Sequence, residues 1–229
     1  MEGPVTRSWA WLIAVVVIAV DLAVYPFLPP DHQYAIRLLA AVAIVYLLVV
    51  ARVTPPEAMG FGTGRVVPEV RFALKVGVIV CVVLAAVGLV ALAVVRLTGL
   101  RPPLPTSTFD SSADFFEFLL HACVMAPVVE EFIYRGLFVG LTLPAWGKRA
   151  TIGVSALLFV VLHVIYRTAT NPVAMAEYAV AGGLLAWVFA TRRSLIACVV
   201  LHALGNLTVA TQNFVLLKWP DLPHRLLGY

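Results

Sequence analysis

The sequence predicts an all-α membrane protein: a polytopic transmembrane helical bundle of about seven spans, with eight as the alternative count, around an intramembrane polar cavity. Composition is the first reason. Hydrophobic residues make up 62% of the 229 residues, charged residues make up 12%, and the mean hydropathy is +0.99. Soluble proteins are about 45–50% apolar and about 25% charged. The second reason is that the apolar residues form segments close to the ~20 residues that cross a bilayer.

The predicted spans follow one another along the chain, separated by short polar connections. They cover residues 9–28, 34–53, 72–97, 113–141, 150–167, 173–191 and 194–216. We therefore expect a single integral-membrane domain over residues 1–229, with the lipid bilayer as its surroundings.

The fourth predicted span differs from the others. It begins with polar residues, and Ser111 or Ser112 is expected to cap its N-terminus. Pro127 lies within it and predicts a kink, because proline removes a backbone donor from a helix.

Lysines and arginines are distributed unevenly between the two sides of the predicted bundle. The N-terminal side carries Arg7, Arg52, Arg65, Arg71, Lys75, Lys148, Arg149, Arg192 and Arg193, with Arg135 near it. The opposite side carries Arg37, Arg96, Arg101, Arg167, Lys218 and Arg225. Positive charge favours the inside, so we expect a cytoplasmic N-terminus and an external C-terminus. The net charge of +4 comes without an arginine–aromatic stripe, so no nucleic-acid partner is expected.

The segment EEFIYRG, residues 130–136, places two carboxylates and an arginine inside a membrane span. Each charge there costs roughly 2.5–3.5 kcal/mol, which indicates a functional role. Glu131 and Arg135 are four residues apart and can pair along one face. Glu130 is turned about 100° away and is free to act. The alternative is a simple ion pair that holds two helices together.

Two further polar patterns lie on separate spans. FVVLH places Phe159 and His163 four residues apart on the fifth span, and HALGN places His202 and Asn206 at the same spacing on the seventh. Each pattern taken alone is also explained by hydrogen bonds between membrane helices.

Taken together, these side chains suit hydrolysis. Glu130 can take a proton from water, and a histidine can orient that water or pass the proton to the leaving amine. His202 and Asn206 can donate hydrogen bonds to a developing oxyanion. The candidate catalytic residues are therefore Glu130, His163, His202 and Asn206, with Glu131, Arg135 and Phe159 in support.

The patterns EExxxR, FxxxH and HxxxN, in this order and on separate spans, resemble the CPBP or Abi family. These are intramembrane endopeptidases related to the CAAX prenyl endopeptidase and to bacteriocin-processing and immunity proteins. The resemblance covers a catalytic core at residues 113–210. It implies a hydrolase with a water-filled conical cavity that cleaves a peptide bond near the terminus of a membrane-associated protein or peptide. A bacterial member would reside in the inner membrane and act in protein processing.

The resemblance also implies individual roles. Glu130 would be the catalytic glutamate and His163 its partner on the water. His202 and Asn206 would form the oxyanion or ligand pair. The family has been described as a metal-free glutamic peptidase and also as zinc-dependent, with zinc held by Glu130, His163, His202 and Asn206. We favour no cofactor, because an amide is a weak zinc ligand and the sequence has no HExxH helix.

Two other classes of protein remain as alternatives. A proton- or ion-coupled transporter could use buried Glu, Arg and His side chains as a path, although the sequence shows no inverted repeat. A non-catalytic immunity or scaffold protein would need the same charges only for packing.

Overall fold

A computed structural model describes residues 6–29, 32–62, 66–100, 105–166, 168 and 171–228. Across these ranges the chain is helical, and its β-structure is limited to an isolated bridge between Phe61 and Ser194. The α-helices are α1 (Ala10–Val24), α2 (Gln33–Val50), α3 (Val66–Thr98), α4 (Ser112–Leu120), α5 (Ala126–Glu131), α6 (Gly140–Ile165), α7 (Pro172–Arg192), α8 (Leu195–Lys218) and α9 (Leu222–Leu227). The predicted all-α class is confirmed.

Six helical stretches of the described chain are long and apolar enough to cross a membrane. The longest, Ser112–Ile165, has 54 residues, about 80 Å of helix against a hydrocarbon layer of about 30 Å. It is interrupted at Gly147, whose φ of 74° and ψ of 168° are not helical. Glycine tolerates this positive φ because it has no Cβ. The two halves correspond to the predicted spans 113–141 and 150–167.

The start of this stretch follows the sequence closely. Ser111 is the N-cap of α4, which confirms one of the two serines predicted for this position. Its hydroxyl accepts from the backbone N–H of Asp114, and the Asp114 carboxylate accepts from the backbone N–H of Ser111 at 3.0 Å. This reciprocal arrangement is a capping box.

α5 lies between two π-helical segments, His121–Met125 and Phe132–Val139. In the first, the backbone N–H of Ala126 donates to the carbonyl of His121, five residues earlier. A proline ring at position 127 collides with the carbonyl four residues earlier in a regular α-helix, and the wider π-helical turn immediately precedes Pro127. The disturbance expected at Pro127 therefore takes the form of a widened helix. Such segments occur frequently at functional sites.

The connection between α2 and α3 contributes to the core beside this stretch. Its 3₁₀ turn, Pro56–Met59, buries Met59 completely. A Cβ on Gly140 would lie 2.9 Å from the Ala58 carbonyl oxygen, and one on Gly136 would lie 3.3 Å from that of Met59. The two glycines thus allow the turn to pack directly against the helix that carries the acidic pair.

Candidate active site

Glu131 is the centre of a buried polar network. Its side chain is fully buried, and its Oε1 accepts from Arg135 Nη1 at 3.0 Å and from His202 Nδ1 at 2.8 Å. The predicted pair between Glu131 and Arg135 is confirmed. The third member, His202, comes from α8 and joins two motifs that are 71 residues apart in sequence.

Arg135 connects this network to α6 and α7. It is fully buried, and its Nη2 donates to the carbonyl of Gly182 at 3.2 Å. Its guanidinium carbon lies 4.7 Å from the centre of the Phe159 ring, a cation–π contact. A Cβ on Gly182 would lie 2.6 Å from Phe159 Cβ, so glycine is needed for α7 to approach α6 this closely.

Phe159 also lies between the two histidines. Its ring centre is 4.4 Å from that of His163 and 5.6 Å from that of His202. His163 in turn stacks on Tyr178, with ring centres 3.8 Å apart. The structure therefore gathers Phe159, His163 and His202 in one aromatic cluster, to which Tyr178 of α7 is an addition that the sequence motifs did not indicate.

When the rings are neutral, hydrogen bonds determine which nitrogen of each histidine carries the hydrogen. His163 Nδ1 lies 2.7 Å from the Phe159 carbonyl oxygen, and His202 Nδ1 lies 2.8 Å from Glu131 Oε1. Carbonyl and carboxylate oxygens only accept, so each Nδ1 carries the hydrogen and donates. Each neutral ring then keeps its lone pair on Nε2, which is available to a proton, a water molecule or a metal ion.

Glu130 has a different environment from Glu131. Its side chain is 2% exposed, and within the described residues no hydrogen bond reaches it. Ile133 and Tyr134, three and four residues further on, contact the α1 and α2 side of the bundle. Glu130 itself is close enough to interact electrostatically with His202 of α8 and with Arg37 of α2. No hydrogen bond joins it to His163 or His202 in the part of the chain that the structure describes.

Asn206 makes its polar contact outside this cluster. It is half-buried, and its Nδ2 donates to the carbonyl of Ala122 in the first π-helical segment. In a π-helix this carbonyl would accept from the N–H of residue 127, but Pro127 has none. Asn206 thus supplies the donor that Pro127 lacks, which is important where no bulk water is present to do so.

The donor atoms for zinc are only partly assembled. No group of three or more His, Cys, Asp or Glu side chains within the described ranges is arranged to hold a metal ion. His163 and His202 do have the Nδ1 hydrogen bonds that orient zinc-binding histidines. The amide of Asn206, however, is bonded to Ala122.

With this geometry in place, comparison with known proteins gives one family. Residues 112–208 match the model of the Rce1-like type II CAAX prenyl endopeptidases. This part of the chain, somewhat less than half of it, is therefore similar to that family. The match confirms the resemblance drawn from the three motifs, and the family that it names is one of peptide hydrolases. Neither a curated protein nor a solved structure matches the chain significantly.

The Rce1-like segment begins at the first residue of α4, so α1 and α2 lie outside it. These helices carry a buried ion pair: Arg37 Nε and Nη2 donate to the two carboxylate oxygens of Asp21, both at 2.8 Å. Arg37 also donates through Nη1 to the hydroxyl of Tyr166, and Tyr134 donates to Asp21 at 3.2 Å.

The burial of Arg37 adds to the sequence analysis, which counted it only among the charges on the side opposite the N-terminus. The residue is 4% exposed and belongs to α2. It was missed because the spans were judged by their mean hydropathy. The signal that singled out Glu130 was nevertheless present, because Asp21 and Arg37 are opposite charges within the first two apolar spans.

A cavity of about 260 Å³ opens between α1 and α2 beside the Rce1-like segment. Its walls are mostly valine, leucine, isoleucine and alanine, with Asp21, Tyr25 and Arg37 as the polar members. Ile133, one helical turn beyond Glu130, lines the cavity, whereas Glu130 itself does not.

Proposed function

We propose that the chain is an intramembrane endopeptidase in which Glu130 activates water to hydrolyse a peptide bond near the terminus of a membrane-associated protein or peptide. The observation that supports this role is the contrast between the two adjacent carboxylates. Glu131 accepts hydrogen bonds from Arg135 and His202 through Oε1, whereas Glu130 is buried and its Oε2 has no hydrogen-bond partner among the described residues. An unpaired buried carboxylate is costly, so a contribution to stability does not explain why it is there.

In the proposed reaction, Glu130 takes a proton from a water molecule whose oxygen attacks the carbonyl carbon of the scissile bond. His163 accepts a hydrogen bond from that water through Nε2, because its Nδ1 is held by Phe159. Attack produces a tetrahedral oxyanion. When the carbon–nitrogen bond breaks, the proton held by Glu130 passes to the leaving nitrogen, and the products are a carboxylate and an amine.

His202 and Asn206 are proposed to stabilise the oxyanion. His202 donates Nδ1–H to Glu131, so it needs a second proton on Nε2 to donate to substrate. Asn206 has a second amide hydrogen besides the one bonded to Ala122. Removal of one oxyanion donor typically lowers the rate by about 10²–10³.

We propose that this chemistry proceeds without metal. The donor set supports the proposal, since Asn206 suits hydrogen bonding better than zinc ligation and its amide contacts a backbone carbonyl. Were zinc the cofactor, Glu130, His163, His202 and Asn206 would hold it, and it would lower the pKa of its water to about 7.

We further propose that the protein resides in a bacterial inner membrane with a cytoplasmic N-terminus. The charge asymmetry supports this orientation. Arg37, which was counted on the opposite side, is paired within the bundle. Leaving Arg37 out of the count for the opposite side enlarges the excess of lysines and arginines on the N-terminal side.

The substrate class is testable by comparing the membrane proteomes of cells that express the wild-type protein, Glu130→Gln or Glu117→Gln. Glu117 is an exposed carboxylate of α4 and is the matched control. In cells that express wild type or Glu117→Gln, we expect a small set of membrane-associated proteins or peptides to be cleaved and therefore to end at new termini. In cells that express Glu130→Gln, the same proteins or peptides should keep their original termini. Identical termini in all three would contradict the proposal and favour a scaffold or transporter.

A further inference from the structure

Two tyrosines lie about one helical turn beyond the proposed catalytic residues. Tyr134 follows Glu130 by four residues, and its hydroxyl donates to Asp21 Oδ2 at 3.2 Å. Tyr166 follows His163 by three residues, and its hydroxyl accepts from Arg37 Nη1. The Asp21–Arg37 pair therefore joins the helix that carries Glu130 to the helix that carries His163.

We propose that Asp21 and Arg37 are positioning residues that set the separation and orientation of Glu130 and His163. The proposal rests on the function proposed above for these two residues. It gives α1 and α2, which lie outside the Rce1-like segment, a direct part in the site.

The geometry of the pair makes it rigid. The planar guanidinium of Arg37 faces both oxygens of Asp21, and side-chain exposure is 3% for Arg37 and 8% for Asp21. Paired, forked hydrogen bonds of this kind fix orientation as well as distance. Tyr25 reinforces the arrangement, since its ring centre is 5.0 Å from the Arg37 guanidinium carbon and 4.0 Å from the ring of Tyr166.

Glu130 needs such a support because its own side chain is not held by hydrogen bonds within the described residues. Its position depends on the helix backbone, and the polar contact next along that face is the one from Tyr134 to Asp21. A displacement of about 1 Å at a reacting group can lower a rate about 10²-fold. A small movement of either tyrosine is therefore expected to appear in the rate.

The test uses the full-length protein in lipid vesicles with a substrate found by the proteome comparison. Tyr134→Phe and Tyr166→Phe each remove one hydroxyl and keep the ring. We expect each to lower kcat about tenfold with KM changed less than about twofold, because the proton-transfer geometry is altered and substrate binding is not. Arg37→Lys keeps the charge and loses the fork, so it is expected to lower kcat further.

Two controls separate positioning from loss of stability. Tyr46→Phe changes an exposed tyrosine of α2 and should leave kcat and the melting temperature unchanged. Glu69→Gln breaks a different ion pair, between the buried Glu69 and the exposed Arg192 at 2.6 Å, and should lower the melting temperature without lowering kcat.

The positioning role would be overturned if both tyrosine variants kept the wild-type kcat. It would also be overturned if the two variants changed only KM. The proposed function fails in a distinguishable way. In that case Glu130→Gln cleaves the substrate like the wild type, whatever the tyrosine variants do.

Discussion

Glu130 and Glu131 are chemically identical neighbours that receive different surroundings from the turn of one helix. Glu131 accepts hydrogen bonds from His202 of α8 and from Arg135, four residues further along its own helix. Glu130 has an Oε2 without a hydrogen-bond partner among the described residues, and its charged neighbours include Arg37 of α2 as well as His202. The i, i+4 spacing was sufficient to predict the contact with Arg135. The contact with His202 depends on how α8 packs, which sequence spacing does not specify.

At this scale we expect Glu131→Gln and Arg135→Ala to reduce the amount of folded protein as well as activity. Removing one member of a buried pair leaves an uncompensated charge, at a cost of about 3–5 kcal/mol. The measurements are the yield of membrane-inserted protein and its melting temperature in detergent, with the exposed Glu177→Gln as control. If both variants accumulate and melt like the wild type, Glu131 and Arg135 do not support the fold as described.

The metal question is also decided by individual side chains. We expect the purified protein to contain far less than one zinc per chain and to keep its activity during prolonged exposure to strong chelators. The reason is that, in the proposed mechanism, Glu130 and His163 activate water directly, and the amide of Asn206 is a poor zinc ligand. About one zinc per chain by elemental analysis, lost together with activity in His163→Ala and His202→Ala, would contradict the metal-free mechanism.

Among the structural elements, the two π-helical segments around α5 are the least regular part of the site. Pro127 indicated a disturbance there, but not its form. The number of residues per turn depends on which backbone donors find partners, and the partner of the Ala122 carbonyl is Asn206, 84 residues away. The sequence around Pro127 gives no information about that distant residue.

This arrangement predicts coupling between Pro127 and Asn206. Asn206→Ala should destabilise the protein by about 0.5–1.5 kcal/mol, the usual contribution of one hydrogen bond. In a Pro127→Ala background the loss should be smaller, because residue 127 then has an N–H for the Ala122 carbonyl. Thermal unfolding of the four proteins measures the coupling.

Asn213→Ala provides the matched control for this cycle. Asn213 is on the same helix, and its Nδ2 donates to the Val209 carbonyl at 3.0 Å, away from Pro127. Its effect should be the same with either residue at position 127. Strict additivity of Pro127→Ala and Asn206→Ala would show that the amide does not replace the missing donor.

For the whole molecule, hydropathy and the three motifs were enough to predict the membrane bundle and the family of residues 112–208. They were not enough to predict the contribution of α1 and α2. Asp21 and Arg37 are 16 residues apart on different helices, and Tyr166 is 129 residues from Arg37. Such a network depends on helix packing, whereas the motifs depend on spacing within one helix.

The packing also explains why the site is assembled from the whole chain. α8 supplies His202, α6 supplies Phe159 and His163, and α7 supplies the Gly182 carbonyl. Each of these side chains is fixed by a partner on another helix or one turn away. Glu130 is the member that has none in the described part of the chain, which is why the mechanism assigns the proton transfer to it.

The most direct test of this assignment is the rate at which purified Glu130→Gln, reconstituted in lipid vesicles, cleaves a substrate of the wild-type protein. The amide keeps the shape of the side chain and lacks the base, so we expect a folded, membrane-inserted variant with no detectable cleavage. Cleavage by this variant at the wild-type rate would contradict the account.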